Sequence, residues 1–250
     1  MKTMKRSLFV LCLIGFLSSG CAPNQDPAPP DMTDTPMPKP RVETVLTQEE
    51  QSQLTPEVVL EMLKEGNRRF VTGTVTARDH SKQVREAAKG QFPKAIVLSC
   101  VDSRVPVEDV FDRGIGDVFV ARVAGNFENT DILGSMEFAT KVAGAKLVLV
   151  LGHSQCGAVN AAIDRVELGN ITGMVGNIVP AAEHFASYEG DKTSQNGEFV
   201  AMVTEQNVRL TMADILEQSP ILQGMEENGE VGIAGAVYDM DTGEVTFLEQ

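Results

Sequence analysis

The chain has 250 residues, 42% hydrophobic and 22% charged, which suits one medium-sized core and is too short for two large domains. With 21 Lys+Arg against 35 Asp+Glu the net charge is −14, a balance that repels nucleic-acid phosphates and anionic lipid. Four cysteines at this length do not make a disulfide scaffold, and the apolar stretch Leu8–Leu17 is too short to cross a bilayer as a helix.

Lys2, Lys5 and Arg6 precede that stretch, and Ser18-Ser19-Gly20-Cys21 follows it. A basic head, a short apolar segment and small residues describe an export signal over residues 1–20. The Leu-Ser-Ser-Gly-Cys ending resembles a bacterial lipoprotein signal, with Ser18 standing where that signal usually has Leu. The resemblance implies lipid on Cys21 as the only membrane contact. With Ala22 rather than Asp beside it, it points to an outer-membrane lipoprotein on the periplasmic side. Residues 22–40 hold seven of the twelve prolines and little that can be buried, so residues 21–54 read as the anchor cysteine, an extended tether and a polar transition. The globular domain is expected over 55–250.

Thr55-Pro56-Glu57 starts a helix, with a hydroxyl cap and proline in the first turn, and Val59, Met62, Leu63 and Phe70 follow at helical spacing. Ala95–Ser99 is a continuous apolar run of the kind a doubly buried strand shows; Asp117–Arg122 and Lys146–Leu151 repeat it. Helical patterns lie over 131–144, 157–168, 176–188 and 198–218. Glu230–Val237 and Glu244–Leu248 flank Asp241-Thr242-Gly243 and predict a closing hairpin. Buried runs alternating with helices give an α/β fold: a doubly wound, mainly parallel sheet with flanking helices and a C-terminal hairpin.

In such sheets ligands sit beyond the C-terminal strand ends. The first strand runs into Cys100-Val101-Asp102-Ser103-Arg104 and the third into His153-Ser154-Gln155-Cys156, so both segments reach that edge. Two thiolates and an imidazole suit Zn2+, one ion per chain, and three protein ligands leave a fourth position, the mark of a catalytic site. The plainer alternatives are two buried thiols with a satisfied core histidine, or a disulfide between Cys100 and Cys156 in an oxidising compartment. His80 and His184 lie on polar segments and read as solvated. Gly-His-Ser-Gln-Cys-Gly is not a nucleophile elbow, because its second glycine falls one place late.

The segment CVDSRVPVEDVFDRGIGDVFVARVAGN, followed by GSMEFATKVAGAKLVLVLGHSQCGAV, resembles the β-class carbonic anhydrases. The similarity extends from about Thr55 to Leu248. It implies zinc on Cys100, His153 and Cys156, and Asp102 with Arg104 as a catalytic dyad. It also implies that Asp102 can become the fourth metal ligand in a closed state. Gln91 matches a glutamine that reaches substrate in the neighbouring subunit's site, which implies a homodimer or homotetramer. Arg122 and Tyr238 match two members of a second bicarbonate site found in one subset of the family; Val97 stands where that site has a tryptophan. The expected activity is reversible hydration of CO2 to bicarbonate and a proton. Hydrolysis of carbonyl sulfide or carbon disulfide at the same zinc, or a catalytically silent zinc-binding lipoprotein, are the competing readings.

Overall fold

The apolar runs of the sequence become neighbours in a single five-stranded sheet. In the computed structural model, which describes residues 44–249, the strands are β1 (Ala95–Ser99), β2 (Val118–Arg122), β3 (Leu147–His153), β4 (Gly232–Tyr238) and β5 (Val245–Phe247). Their order is β2-β1-β3-β4-β5. The first four are parallel and β5 returns antiparallel to β4, so the expected mainly parallel sheet with a closing hairpin is what forms. In the hairpin turn, Asp239 Oδ1 accepts from the N–H groups of Asp241 and Thr242 at 2.9 and 2.8 Å.

Ten helices are described around the sheet: α1 (Gln48–Ser52), α2 (Pro56–Val71), α3 (His80–Ala87), α4 (Val107–Val110), α5 (Thr130–Glu137), α6 (Gly157–Ile163), α7 (Gly169–Gly176), α8 (Val179–Glu183), α9 (Gly197–Gln218) and α10 (Pro220–Glu227). Side chains alternate across a strand, so successive residues feed different layers. Ala95, Val97, Leu147 and Leu149 pack against Val59 and Leu63 of α2 and Val107 and Val110 of α4. Ile96, Leu98, Val148 and Val150 pack against Leu133 of α5, Val208 and Ile215 of α9 and Leu222 of α10. Both faces are therefore covered, which is why these strands read as unbroken apolar runs.

Four expected segments differ from the structure. The polar transition up to residue 54 contains the folded helix α1, started by a capping box between Thr47 and Glu50. Gln51 of that helix is buried, donating to the carbonyls of Pro93 and Ala143 at 2.7 and 2.9 Å. The helix expected over 157–168 stops at Ile163, where Arg165 and Gly169 take left-handed φ of 54° and 48°. The span 176–188 is broken between α7 and α8, with Pro180 in the first turn of α8. The pattern over 131–144 is α5 running into a π-helical turn, Phe138–Val142.

Topology decides where the site lies. From β1 the chain steps outward to β2, then crosses to the other side of β1 for β3. The strand order therefore reverses between β1 and β3, and the crevice beyond their C-terminal ends is the switch point. A third apolar cluster roofs it: Phe127, Val159 of α6, Val175 of α7, Ile178, and Phe199 and Val203 of α9, together with Cys100 and Cys156.

Candidate metal centre

Cys100 is the first residue beyond β1, and His153 is the last residue of β3. The chain then turns through Ser154 and Gln155, whose φ of 55° is left-handed, and reaches Cys156 at the N-cap of α6. Two contacts tie that turn to the end of β4: Ser154 N–H donates to Tyr238 O, and Met240 N–H donates to Ser154 Oγ, both at 2.9 Å. One ligand-type atom from each of Cys100, His153 and Cys156 lies within 4.8 Å of the others, and all three residues are buried. Among the described residues this is the one such group of three or more His, Cys, Asp or Glu side chains. His80 and His184 are exposed and away from it, and Cys21 lies outside the described residues.

The imidazole is oriented by its neighbour. His153 Nδ1 is 2.8 Å from Ser154 O, and a carbonyl only accepts, so Nδ1 carries the proton. Nε2 is thus left with a lone pair. It is wholly buried, has no hydrogen-bond partner and lies 4.0 Å from Asp102 Oδ2. A buried acceptor without a partner costs about 1–3 kcal/mol, so its persistence here calls for a ligand. The two sulfurs act as a pair. Cys100 is drawn down, chiefly by the hydrogen bond from Cys156, against the opposing effect of burial, with the Gly125 N–H helping. Cys156 is pushed up by the Cys100 sulfur and by burial. One negative charge forms readily, and the second needs a cation.

Beside the sulfurs, Asp102 and Arg104 meet in a planar two-point contact: Nε to Oδ1 at 3.0 Å and Nη2 to Oδ2 at 2.8 Å, with Arg104 N–H adding 3.0 Å to Oδ1. The Arg104 side chain is the main cause that holds the Asp102 carboxyl down at about 2. Arg104 Nη2 also reaches Gln155 O at 3.4 Å, so the dyad touches both loops that carry the sulfurs.

Gln91 is not part of this cluster. It is exposed on the segment before β1, at the opposite end of the sheet, about 17 Å of strand away from its own Cys100. Arg122 spends its guanidinium on the Cys100 loop, donating to Cys100 O and Val105 O at 2.7 Å each. Tyr238 and Val97 are buried. Motif reading misses how the loop is braced, because the carbonyls that Arg122 holds carry no signature in sequence.

A Cys–His–Cys group that could hold a metal ion thus lies at the switch point of a parallel sheet, flanked by an Asp–Arg pair reaching solvent. The sequence profile described as carbonic anhydrase matches residues 95–245. Carbonic anhydrase 2 of Mycobacterium tuberculosis is 36% identical over 192 residues, covering 75% of this chain and 90% of that protein. The carbonic anhydrase of Mycolicibacterium smegmatis is 37% identical over 188 residues, covering 73% and 88%. Among solved structures, the β-carbonic anhydrase CafA of Aspergillus fumigatus superposes with a TM-score of 0.60 at 27% identity, covering 77% of this chain and 90% of that one. The chain belongs to the carbonic anhydrase family and has the fold of its β class. It is accordingly a lyase that interconverts CO2 and bicarbonate.

Proposed function

We propose that the protein is an exported, lipid-anchored, zinc-dependent carbonic anhydrase in which Cys100, His153 and Cys156 hold the ion. The observation that carries this reading is the buried, unpartnered Nε2 of His153 beside the two buried sulfurs of Cys100 and Cys156. Two thiolates and a neutral imidazole are a zinc donor set. Zn2+ bound there supplies the polarising charge that turns water into a nucleophile for CO2 at neutral pH.

The remaining chemistry belongs to the chain. Asp102, anionic and without a proton, can only accept, so a water entering beside His153 meets an acceptor at Oδ2 and turns a hydrogen toward it. Arg104 fixes the plane of that carboxylate, and its charge keeps Asp102 ionised across the working pH range. Held in this way by Arg104, Asp102 would stay off the donor set and remain free to accept a hydrogen bond from the reacting water. The apolar roof of Phe127, Val159 and Val203 suits a small nonpolar substrate.

By the family resemblance Gln91 acts in the neighbouring subunit of a homodimer or homotetramer, and its exposed place at the far end of the sheet from its own site is compatible with that role. The open edge of β2, with Val118, Phe119 and Val120 half-buried and Phe138 exposed nearby, supports association along this side. The basic head, the apolar segment and Cys21 support export and lipidation. Stopped-flow CO2 hydration on the zinc-loaded full chain, with carbonyl sulfide run beside it, tests the activity. Rapid hydration with slow carbonyl sulfide turnover is expected; zinc uptake without hydration would make this a silent metal-binding protein. Intact-mass measurement on membrane-extracted protein tests the anchor, and an unmodified Cys21 would replace it with ordinary signal cleavage.

A further inference from the structure

The Cys100 sulfur is not bare on its protein side. Gly125 N–H donates to Cys100 Sγ at 3.3 Å. Gly125 belongs to a turn closed by Asn126 N–H donating to Val123 O at 3.0 Å, and it holds φ at 86°. A side chain there would be strained, and its Cβ would come within 2.3 Å of Ile178 Cδ1. Asn126 follows with φ of 45°, a second left-handed residue. Glycine takes this conformation freely, whereas a left-handed non-glycine residue such as Asn126 persists where the surrounding structure holds it.

What holds it comes from a distant part of the chain. Asn207, in the middle of α9 and only 3% exposed, donates from Nδ2 to Gly125 O at 2.9 Å. The carbonyl it grips and the N–H on the sulfur flank the same Cα, so holding one peptide restrains the other. We propose that Asn207 is a positioning residue of the metal centre. By anchoring the Gly125 carbonyl it keeps the Gly125 N–H on the Cys100 sulfur. This role rests on the zinc reading above. A hydrogen bond to a ligating sulfur withdraws electron density from it. With two thiolates cancelling the formal charge of the ion, that withdrawal returns part of its polarising power.

The test uses full-length protein loaded with Zn2+ or Co2+, and three variants. Asn207→Ala removes the donor, Asn207→Asp keeps the shape but leaves no amide to donate, and Thr204→Val removes a buried hydrogen bond of the same helix, from Thr204 Oγ1 to Val200 O at 2.8 Å. Chelator competition is expected to show about tenfold weaker zinc binding in both Asn207 variants. Their sulfur-to-cobalt charge-transfer band should move to longer wavelength, as a sulfur that loses its hydrogen bond becomes easier to oxidise. Thr204→Val should match wild type in both readouts. If the band and the affinity stay at wild-type values in both Asn207 variants, Asn207 is an ordinary buried amide. If Thr204→Val shifts them as far, the effect is general loosening of α9. A wild-type protein that takes up Co2+ without any sulfur band overturns the zinc reading and this role together; a normal wild-type band with unmoved variants overturns this role alone.

Discussion

Asp102 and Asp112 look alike by charge and differ in what they have left to offer. Each is an aspartate paired with arginine, and each carboxyl is held at about 2. At Asp112 burial alone pushes the carboxyl upward, and hydrogen bonds from Arg69, Thr76 and Arg78 more than reverse it. Those bonds saturate it. Oδ1 accepts from Thr76 N–H at 3.0 Å and Arg78 Nη1 at 2.6 Å, and Oδ2 accepts from Arg69 Nε at 2.5 Å and Thr76 Oγ1 at 2.7 Å. Its side chain is fully enclosed. Asp102 is 17% exposed, its Arg104 partner 52% exposed, and its Oδ2 accepts a single bond from that arginine while turned toward His153. A depressed pKa is thus shared by a structural rivet and by the carboxylate proposed to orient the reacting water. Spare acceptor capacity next to an unpartnered donor set is what tells them apart.

Four experiments press on that distinction. The largest effect is expected at the donor set itself: Cys156→Ser should lose most of its zinc by metal analysis and with it CO2 hydration, while an undiminished zinc content would remove Cys156 from the site. Next comes Asp102→Asn, which replaces an acceptor-only group with an amide that can donate. Turnover should fall by about 10²–10⁴ with zinc still bound, and the partly exposed pair should change stability by under about 1 kcal/mol. Near wild-type turnover would reduce the dyad to a surface ion pair.

Asp112→Asn should behave in the opposite way. Breaking a buried, saturated ionic cluster by removing one member typically costs about 3–5 kcal/mol, read as a lower urea midpoint, whereas turnover per folded, zinc-loaded molecule should stay at the wild-type value. Reduced turnover in the folded fraction would mean the cluster is coupled to the site. The smallest effect concerns acid. Because the folded carboxyl of Asp112 titrates at about 2 and an unfolded one at about 3.9, its contribution to stability is full above the unfolded value and is lost as pH falls through about 2. Asp112→Asn should flatten the pH dependence of unfolding in that window. The acid limb of CO2 hydration should not move into it, since Asp102 also stays ionised down to about 2.

The sheet was legible in the sequence because β1, β3 and β4 are buried on both faces and therefore show as apolar runs such as Ala-Ile-Val-Leu and Leu-Val-Leu-Val-Leu. The candidate metal donors were legible because Cys100 and His153 stand at the ends of two of those runs, with Cys156 three residues beyond the second. Helix punctuation was less visible. Arg165 takes a left-handed turn without a glycine to advertise it, and the π-helical turn at Phe138–Val142 keeps a helical pattern while adding a residue to its span. The buried role of Gln51 was hidden because a polar residue in a polar stretch shows burial only through its partners, the carbonyls of Pro93 and Ala143. Asn207 and Arg122 were beyond reach for the same reason: both act by donating to main-chain oxygens, which every residue possesses.

The alignment of β1 with β3 also makes the metal centre a check on how the chain has folded. Ser99 pairs with Leu151, and this register brings Cys100 level with the turn that carries His153 and Cys156. A slip of two residues would preserve every inward-facing side chain, so hydrophobic burial discriminates weakly against it, yet it would carry Cys100 about 6.6 Å along the strand direction. That displacement exceeds what bonds of about 2.3 Å from sulfur to zinc can span. Cys100 and Cys156 are far apart in sequence, and their approach waits on a non-local strand pairing of the slow-forming kind. Tight capture of an ion would therefore report a late event in folding, and would favour the one alignment in which both strands end at the same level.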